Sequence, residues 1–125
     1  MSLSLVDSSG WIEYFMNGPL AEPYEKYLSK SREVITPTLV LFEVYKKIKN
    51  ELDEEQALLA AAQMEKTNLI PLSAAIAYRA ADVSLEYKLA LADSVIYATA
   101  DIQGARLITS DADFKNLPKV LYLEP

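Results

Sequence analysis

The sequence predicts an α/β domain: about five short parallel strands forming one sheet with helices on both faces, a three-layer sandwich. Three observations carry this. Short apolar runs of strand length recur along all 125 residues. Segments with helical spacing separate nearly all of them. Strands that alternate with helices in this way favour a parallel sheet covered on both sides. No repeat, low-complexity segment or linker interrupts the pattern, so residues 1–125 are expected to form a single domain.

The elements follow in order. Leu3–Val6 reads as a first buried strand, and Ser8 to Phe15 as a short helix broken by Asn17-Gly18-Pro19. Leu20 to Ser29 has helical spacing through Tyr24, Tyr27 and Leu28. Glu33–Ile35 is a second strand. Thr36-Pro37 then suits a helix start, with Thr36 as N-cap and Pro37 at the first helical position. That helix is expected to reach Lys49 and end around Asn50. Asp53 opens the next, with Gln56 three residues on as in a capping box, and it continues to about Lys66. Asn68 precedes a third strand, Leu69–Pro71. Ser73 caps a helix running to about Lys88, and Leu91 to Ile102 forms another, stopped at Gly104. Arg106–Thr109 is a fourth strand, Asp111 to Lys115 a short helical turn, and Val120–Leu123 the last strand.

Composition narrows the chemistry. Cysteine is absent, which excludes disulfides and thiolate sites and suits an intracellular, cytoplasmic protein. The amino-terminal segment lacks the basic residue and long apolar stretch of a signal peptide. No apolar run approaches the roughly 18 residues of a membrane span. Histidine is absent too, which removes Ser-His-Asp and Cys-His catalysis and ordinary zinc sites. Three glycines cannot build a Walker A loop or a GxGxxG turn. The net charge of −6 argues against a protein that coats nucleic acid, although a nuclease can be acidic at its metal site and basic at its rim.

Four acids stand out: Asp7, Glu43, Asp93 and Asp111. Each ends or interrupts an apolar run. A carboxylate near a core is costly unless it is paired, hydrogen-bonded or bound to a metal. Asp7 follows the first strand and Asp111 the fourth, and Asp93 and Glu43 lie in helices. Strand ends and helix starts meet at one edge of such a sheet, where its sites form. All four can therefore converge, and an oxygen-ligand site for Mg²⁺ or Mn²⁺ is the natural use. Each also has an ordinary alternative. Asp7, Asp93 and Asp111 can cap or start helical segments, and Glu43 can sit on a solvated face. Asp113 suits a ligand, an outer ligand held through water, or part of a cap. Thr109 can orient a carboxylate, and Ser8 offers a hydroxyl beside Asp7. Lys46, Lys47 and Lys49 can meet phosphates or simply form a solvated helix end; Arg79 and Lys88 can line a rim.

Taken in order, the segments LVDSSGWIEYF, ITPTLVLFEVYKKI, LALADSVIYATA and LITSDADF span nearly the whole chain. In that order and spacing the chain resembles the PIN-domain ribonucleases, in particular the small VapC toxins of toxin–antitoxin pairs. The resemblance implies a PIN-like fold and Mg²⁺- or Mn²⁺-dependent hydrolysis of RNA phosphodiester bonds. It maps the acidic catalytic and metal-holding set onto Asp7, Glu43, Asp93 and Asp111, with Thr109, Asp113 and Ser8 in support. It also implies an RNA substrate, a cognate antitoxin and a homodimer or higher homo-oligomer, the latter expected through helices carrying Tyr24, Tyr27 or Trp11.

Three other readings compete. One is a PIN-like protein-binding or regulatory module with little nuclease activity. An aspartyl phosphatase wants a second acid two residues after Asp7, where this chain has Ser9. A phospho-receiver domain needs an acceptor aspartate after the third strand, where Pro71-Leu72-Ser73 offers none.

Overall fold

The apolar runs become five strands in a computed structural model that describes residues 2–125. They are β1 (Ser4–Val6), β2 (Val34–Pro37), β3 (Asn68–Ile70), β4 (Arg106–Thr109) and β5 (Val120–Tyr122). All pair in parallel, in the order β3-β2-β1-β4-β5. Six helices connect them: α1 (Ser8–Phe15), α2 (Ala21–Leu28), α3 (Thr38–Glu51), α4 (Glu54–Met64), α5 (Ala74–Tyr87) and α6 (Leu91–Gln103). Short 3-10 turns cover Ser31–Glu33 and Ala112–Phe114. Helix α1 packs on α2 and α3, α3 on α4, and α5 on α6. With right-handed crossovers, α1 to α4 cover one face of the sheet and α5 and α6 the other. None of these helices is long and apolar enough to cross a membrane.

The central strands are the heart of the core. Leu5, Val6, Val34, Ile35, Leu107 and Ile108 are all buried. Helices close on them through periodic apolar positions such as Val40, Val44 and Ile48 of α3. Chain punctuation works as the residue types suggest. Asp7, Asp53 and Ser73 accept from backbone N–H groups in the first turns of α1, α4 and α5. Helix α6 ends on Gly104 in the left-handed region, at φ 68°.

Several expected ends shift by a residue or two, as where Glu33 closes a 3-10 turn and β2 starts at Val34, and one boundary differs in kind. Thr36 does not cap α3, and Pro37 is not inside it. Strand β2 continues through Pro37, which pairs in register with Ile70, and α3 starts at Thr38 without a side-chain cap. The Thr36 side chain is fully buried and bonds the Thr67 hydroxyl at 2.6 Å. Pairing with β3 outweighs the local capping preference, and proline is tolerated at this strand end because it need not donate.

Strand order reverses between the two neighbours of β1. The chain steps outward from β1 to β2 and β3, then crosses back to β4 and β5. In open parallel sheets the crevice at such a reversal, outside the carboxyl ends of the strands, is where sites form. Asp7 leaves β1 at that point, and Thr109 ends β4 beside it.

Candidate metal centre

Asp7 is only 3% exposed. Its carboxylate accepts three hydrogen bonds: from the Gly10 N–H at 3.0 Å, the Ser9 hydroxyl at 3.1 Å and the Thr109 hydroxyl at 2.7 Å. Asp7 thus caps α1 and faces the crevice at once, so its two sequence readings are compatible. Thr109 is fully buried and uses both functions of its hydroxyl. It donates to Asp7 and accepts from the Asp111 N–H at 2.9 Å. A continuous hydrogen-bond path therefore joins Asp7 to the loop after β4. Burial still pushes the Asp7 carboxyl above its ordinary range, against the pull of these three donors.

Asp93, Asp111 and Asp113 form the second half of the site. Each offers a carboxylate oxygen, and these atoms lie within 4.8 Å of one another. Asp93 is in the first turn of α6, where the positive end of the helix favours a carboxylate. Asp111 and Asp113 come from the loop after β4. Asp111 caps its 3-10 turn by accepting from the Asp113 N–H at 2.9 Å. The Asp93 carboxyl is pushed up to about 6, first by partial burial and then by the negative charges of Asp111, Asp113, Asp7 and Glu43.

Glu43 is outside this trio. It is half-buried on α3 and accepts a 2.5 Å hydrogen bond from the Ser8 hydroxyl at the start of α1. Open grooves flank it. One runs along α3 past Phe42, Tyr45, Lys46 and Lys49; the other passes Ser8, Ser9, Glu13 and Lys47. The lysines expected near phosphates are partly engaged. Lys47 pairs with Glu51 at 2.8 Å and Lys49 with Glu54 at 3.0 Å, and Lys46 lies over the Phe42 ring. These exposed pairs are weak, and an incoming anion can displace them. Arg79 is tied to Asp101 at 2.7 Å on the α5–α6 pair.

No lysine or arginine forms an ion pair with Asp7, Glu43, Asp93, Asp111 or Asp113 among the described residues. Carboxylates gathered at close range without a cation suit a hard divalent ion, which takes oxygen ligands. Asp113, rather than Asp7 or Glu43, joins Asp93 and Asp111 within 4.8 Å. The sequence leaves Asp113 open as a ligand, an outer ligand or part of a cap; the capping side chain is that of Asp111, and Asp113 stands beside Asp93 and Asp111.

Two of the three aromatic residues expected at a dimer surface are buried in the core. Tyr24 is fully buried and Trp11 is 2% exposed, both in the protein's own core, and Tyr27 is half-covered beneath the Arg106 guanidinium. Exposed apolar side chains lie instead on other helices, notably Tyr78 and Leu85 of α5 and Leu58 and Leu59 of α4.

Several solved structures share this architecture. A toxin–antitoxin complex from Klebsiella pneumoniae contains a chain 28% identical, with a TM-score of 0.81 over 94% of this chain and 95% of that one. Mycobacterium tuberculosis VapC20, a Sarcin-Ricin loop cleaving toxin, is 17% identical, with a TM-score of 0.72 over 90% and 91% of the two chains. DNA-bound VapBC from Salmonella typhimurium is 16% identical, with a TM-score of 0.77 over 98% of each chain. At these lower identities the likeness is one of fold. No curated protein sequence matches significantly. The family model of the PIN domain matches residues 4–120. With nearly its whole length matched, and its acids gathered at the strand-order reversal, the chain belongs to the PIN domain family.

Proposed function

We propose that the protein is a divalent-metal-dependent endoribonuclease, the toxin component of a VapC-type toxin–antitoxin pair. One observation carries this reading. Asp93, Asp111 and Asp113 bring carboxylate oxygens within 4.8 Å of one another without a neutralising side chain. Mg²⁺ or Mn²⁺ would be held by Asp7, Glu43, Asp93 and Asp111, directly or through water, with Asp113 joining the last two. The ion supplies Lewis acidity toward a phosphodiester and lowers the pKa of water. Thr109 fixes the Asp7 carboxylate and Ser8 fixes Glu43. The α3 groove beside Glu43, with Lys46 and Lys47, offers a path for the phosphates of an RNA strand.

The neighbours support the same reading, since one belongs to a toxin–antitoxin complex and another is a Sarcin-Ricin loop cleaving toxin. The expected partner is a cognate antitoxin, for which an arginine offered to the acid cluster is the fitting contact. A homodimer and a cytoplasmic location complete the proposal.

Cleavage of labelled RNA tests it, with Mg²⁺ or Mn²⁺ and with EDTA, for wild type, Asp7→Asn and Asp93→Asn. Metal-dependent cutting that is lost in both variants is the expected result. Equal cutting by all three proteins would overturn the assignment. A wild type that binds but never cuts a broad RNA set would favour a PIN-fold binding module instead.

A further inference from the structure

Tyr24 lies in the middle of α2, yet its side chain reaches both halves of the acid site. The ring is fully buried. It packs so closely on Gly10 that a Cβ there would fall 2.6 Å from the ring's Cε1. Gly10 is the residue whose N–H bonds Asp7. At the far end of the ring, the hydroxyl lies 2.9 Å from the Ser110 Oγ. Ser110 separates Thr109, which holds Asp7, from Asp111. The chain leaving β4 is therefore pinned at three successive residues. Thr109 bonds Asp7, Ser110 bonds Tyr24, and Asp111 bonds the following turn.

We propose that Tyr24 is a positioning residue for the metal centre. Its hydroxyl fixes the loop that presents Asp111 and Asp113 to Asp93, while its ring fixes the start of α1 beside Asp7. This rests on the metal-dependent reading above. Three like-charged carboxylates at this range repel one another. A loop free to move relaxes by swinging two of them outward, and an arriving cation must then draw them back. A tether anchored in the core removes that cost before the ion binds.

A purely structural role makes a different claim. A buried tyrosine hydroxyl needs a partner, and Ser110 supplies one. Loss of that bond would then lower stability and nothing else. The test compares wild type, Tyr24→Phe, Ser110→Ala and the double variant. Mn²⁺ affinity is read by electron paramagnetic resonance at a temperature where each protein is folded, and Tm is measured in EDTA. Each single change should weaken Mn²⁺ binding about tenfold, the low end for a group that orients ligands. The double variant should lose no more than either single one, because both remove the same bond. Should Tyr24→Phe fail to fold, Ser110→Ala reads the same bond from its more accessible side. Lower Tm with Mn²⁺ affinity unchanged would overturn this proposal and leave the metal reading standing. A folded wild type that binds no Mn²⁺ would overturn both.

Discussion

Asp7 and Asp93 are aspartates at the same edge of the same sheet, and the fold treats them in opposite ways. Asp7 is buried and satisfied, with three donors aimed at its two oxygens. Asp93 is half-buried, accepts no hydrogen bond among the described residues, and faces four other acids. Both carboxyls are pushed upward, but for different balances of reasons. For Asp7, burial is largely countered by hydrogen bonds, and the charge of Asp111 adds a smaller push. For Asp93, burial and neighbouring charge act together. One half of the site is built by the protein alone. The other half, on the proposed reading, is completed by a divalent cation.

That contrast can be broken from either side. The largest expected effect is on activity. Asp93→Asn should reduce metal-dependent RNA cleavage by about 100-fold or more, since it removes a carboxylate proposed to hold the ion and even a lost outer partner of a metal ligand costs about 10–100-fold. In EDTA the same variant should melt higher than wild type, because one of the repelling charges is gone. Activity and stability would thus move in opposite directions. Thr109→Val strikes the satisfied half. It keeps the shape, removes a donor to a buried carboxylate and leaves the Asp111 N–H without its acceptor. It should cost about 1–3 kcal/mol in urea unfolding.

Smaller effects sharpen the comparison. Folded Asp93 holds its proton up to about pH 6, whereas the unfolded carboxyl releases it near the ordinary 3.8. The folded state therefore binds more protons across that window, and stability of the metal-free protein should fall as pH rises through it. The Asp7 shift acts in the same direction. After solvent screening of this half-exposed group, the Asp93 share is on the order of 1 kcal/mol. Chemical unfolding between pH 4 and 7 in EDTA measures it. Ser8→Ala should be the mildest change, slowing cleavage a few-fold at constant Tm, because it frees Glu43 without removing it.

Much of this is legible in the sequence. The strands, the caps at Asp7, Asp53 and Ser73, and the stop at Gly104 depend on local patterns of apolar spacing and turn chemistry. The acids Asp7, Asp93 and Asp111 showed themselves by following apolar runs. What escaped was non-local. Thr36 looked like a cap because Thr-Pro commonly starts helices, and only pairing with β3 keeps it in the sheet. Tyr24 looked like a contact residue because helical spacing shows a face without showing what covers it. Gly10 makes room for its ring, and Ser110, 86 residues away in sequence, meets its hydroxyl. Asp113 is open to several readings in the sequence, and what the sequence cannot show is that Asp93, 20 residues upstream, meets it and Asp111.

The most direct measurement is the Tm of wild type and Asp93→Asn at pH 7, each in EDTA and in millimolar Mn²⁺. A cluster held apart by its own charge should give a wild type that is the less stable of the two in EDTA and rises clearly with Mn²⁺. The variant should start higher and respond weakly. A wild-type Tm indifferent to Mn²⁺, together with a variant no more stable in EDTA, would contradict the picture of an acid cluster completed by a cation.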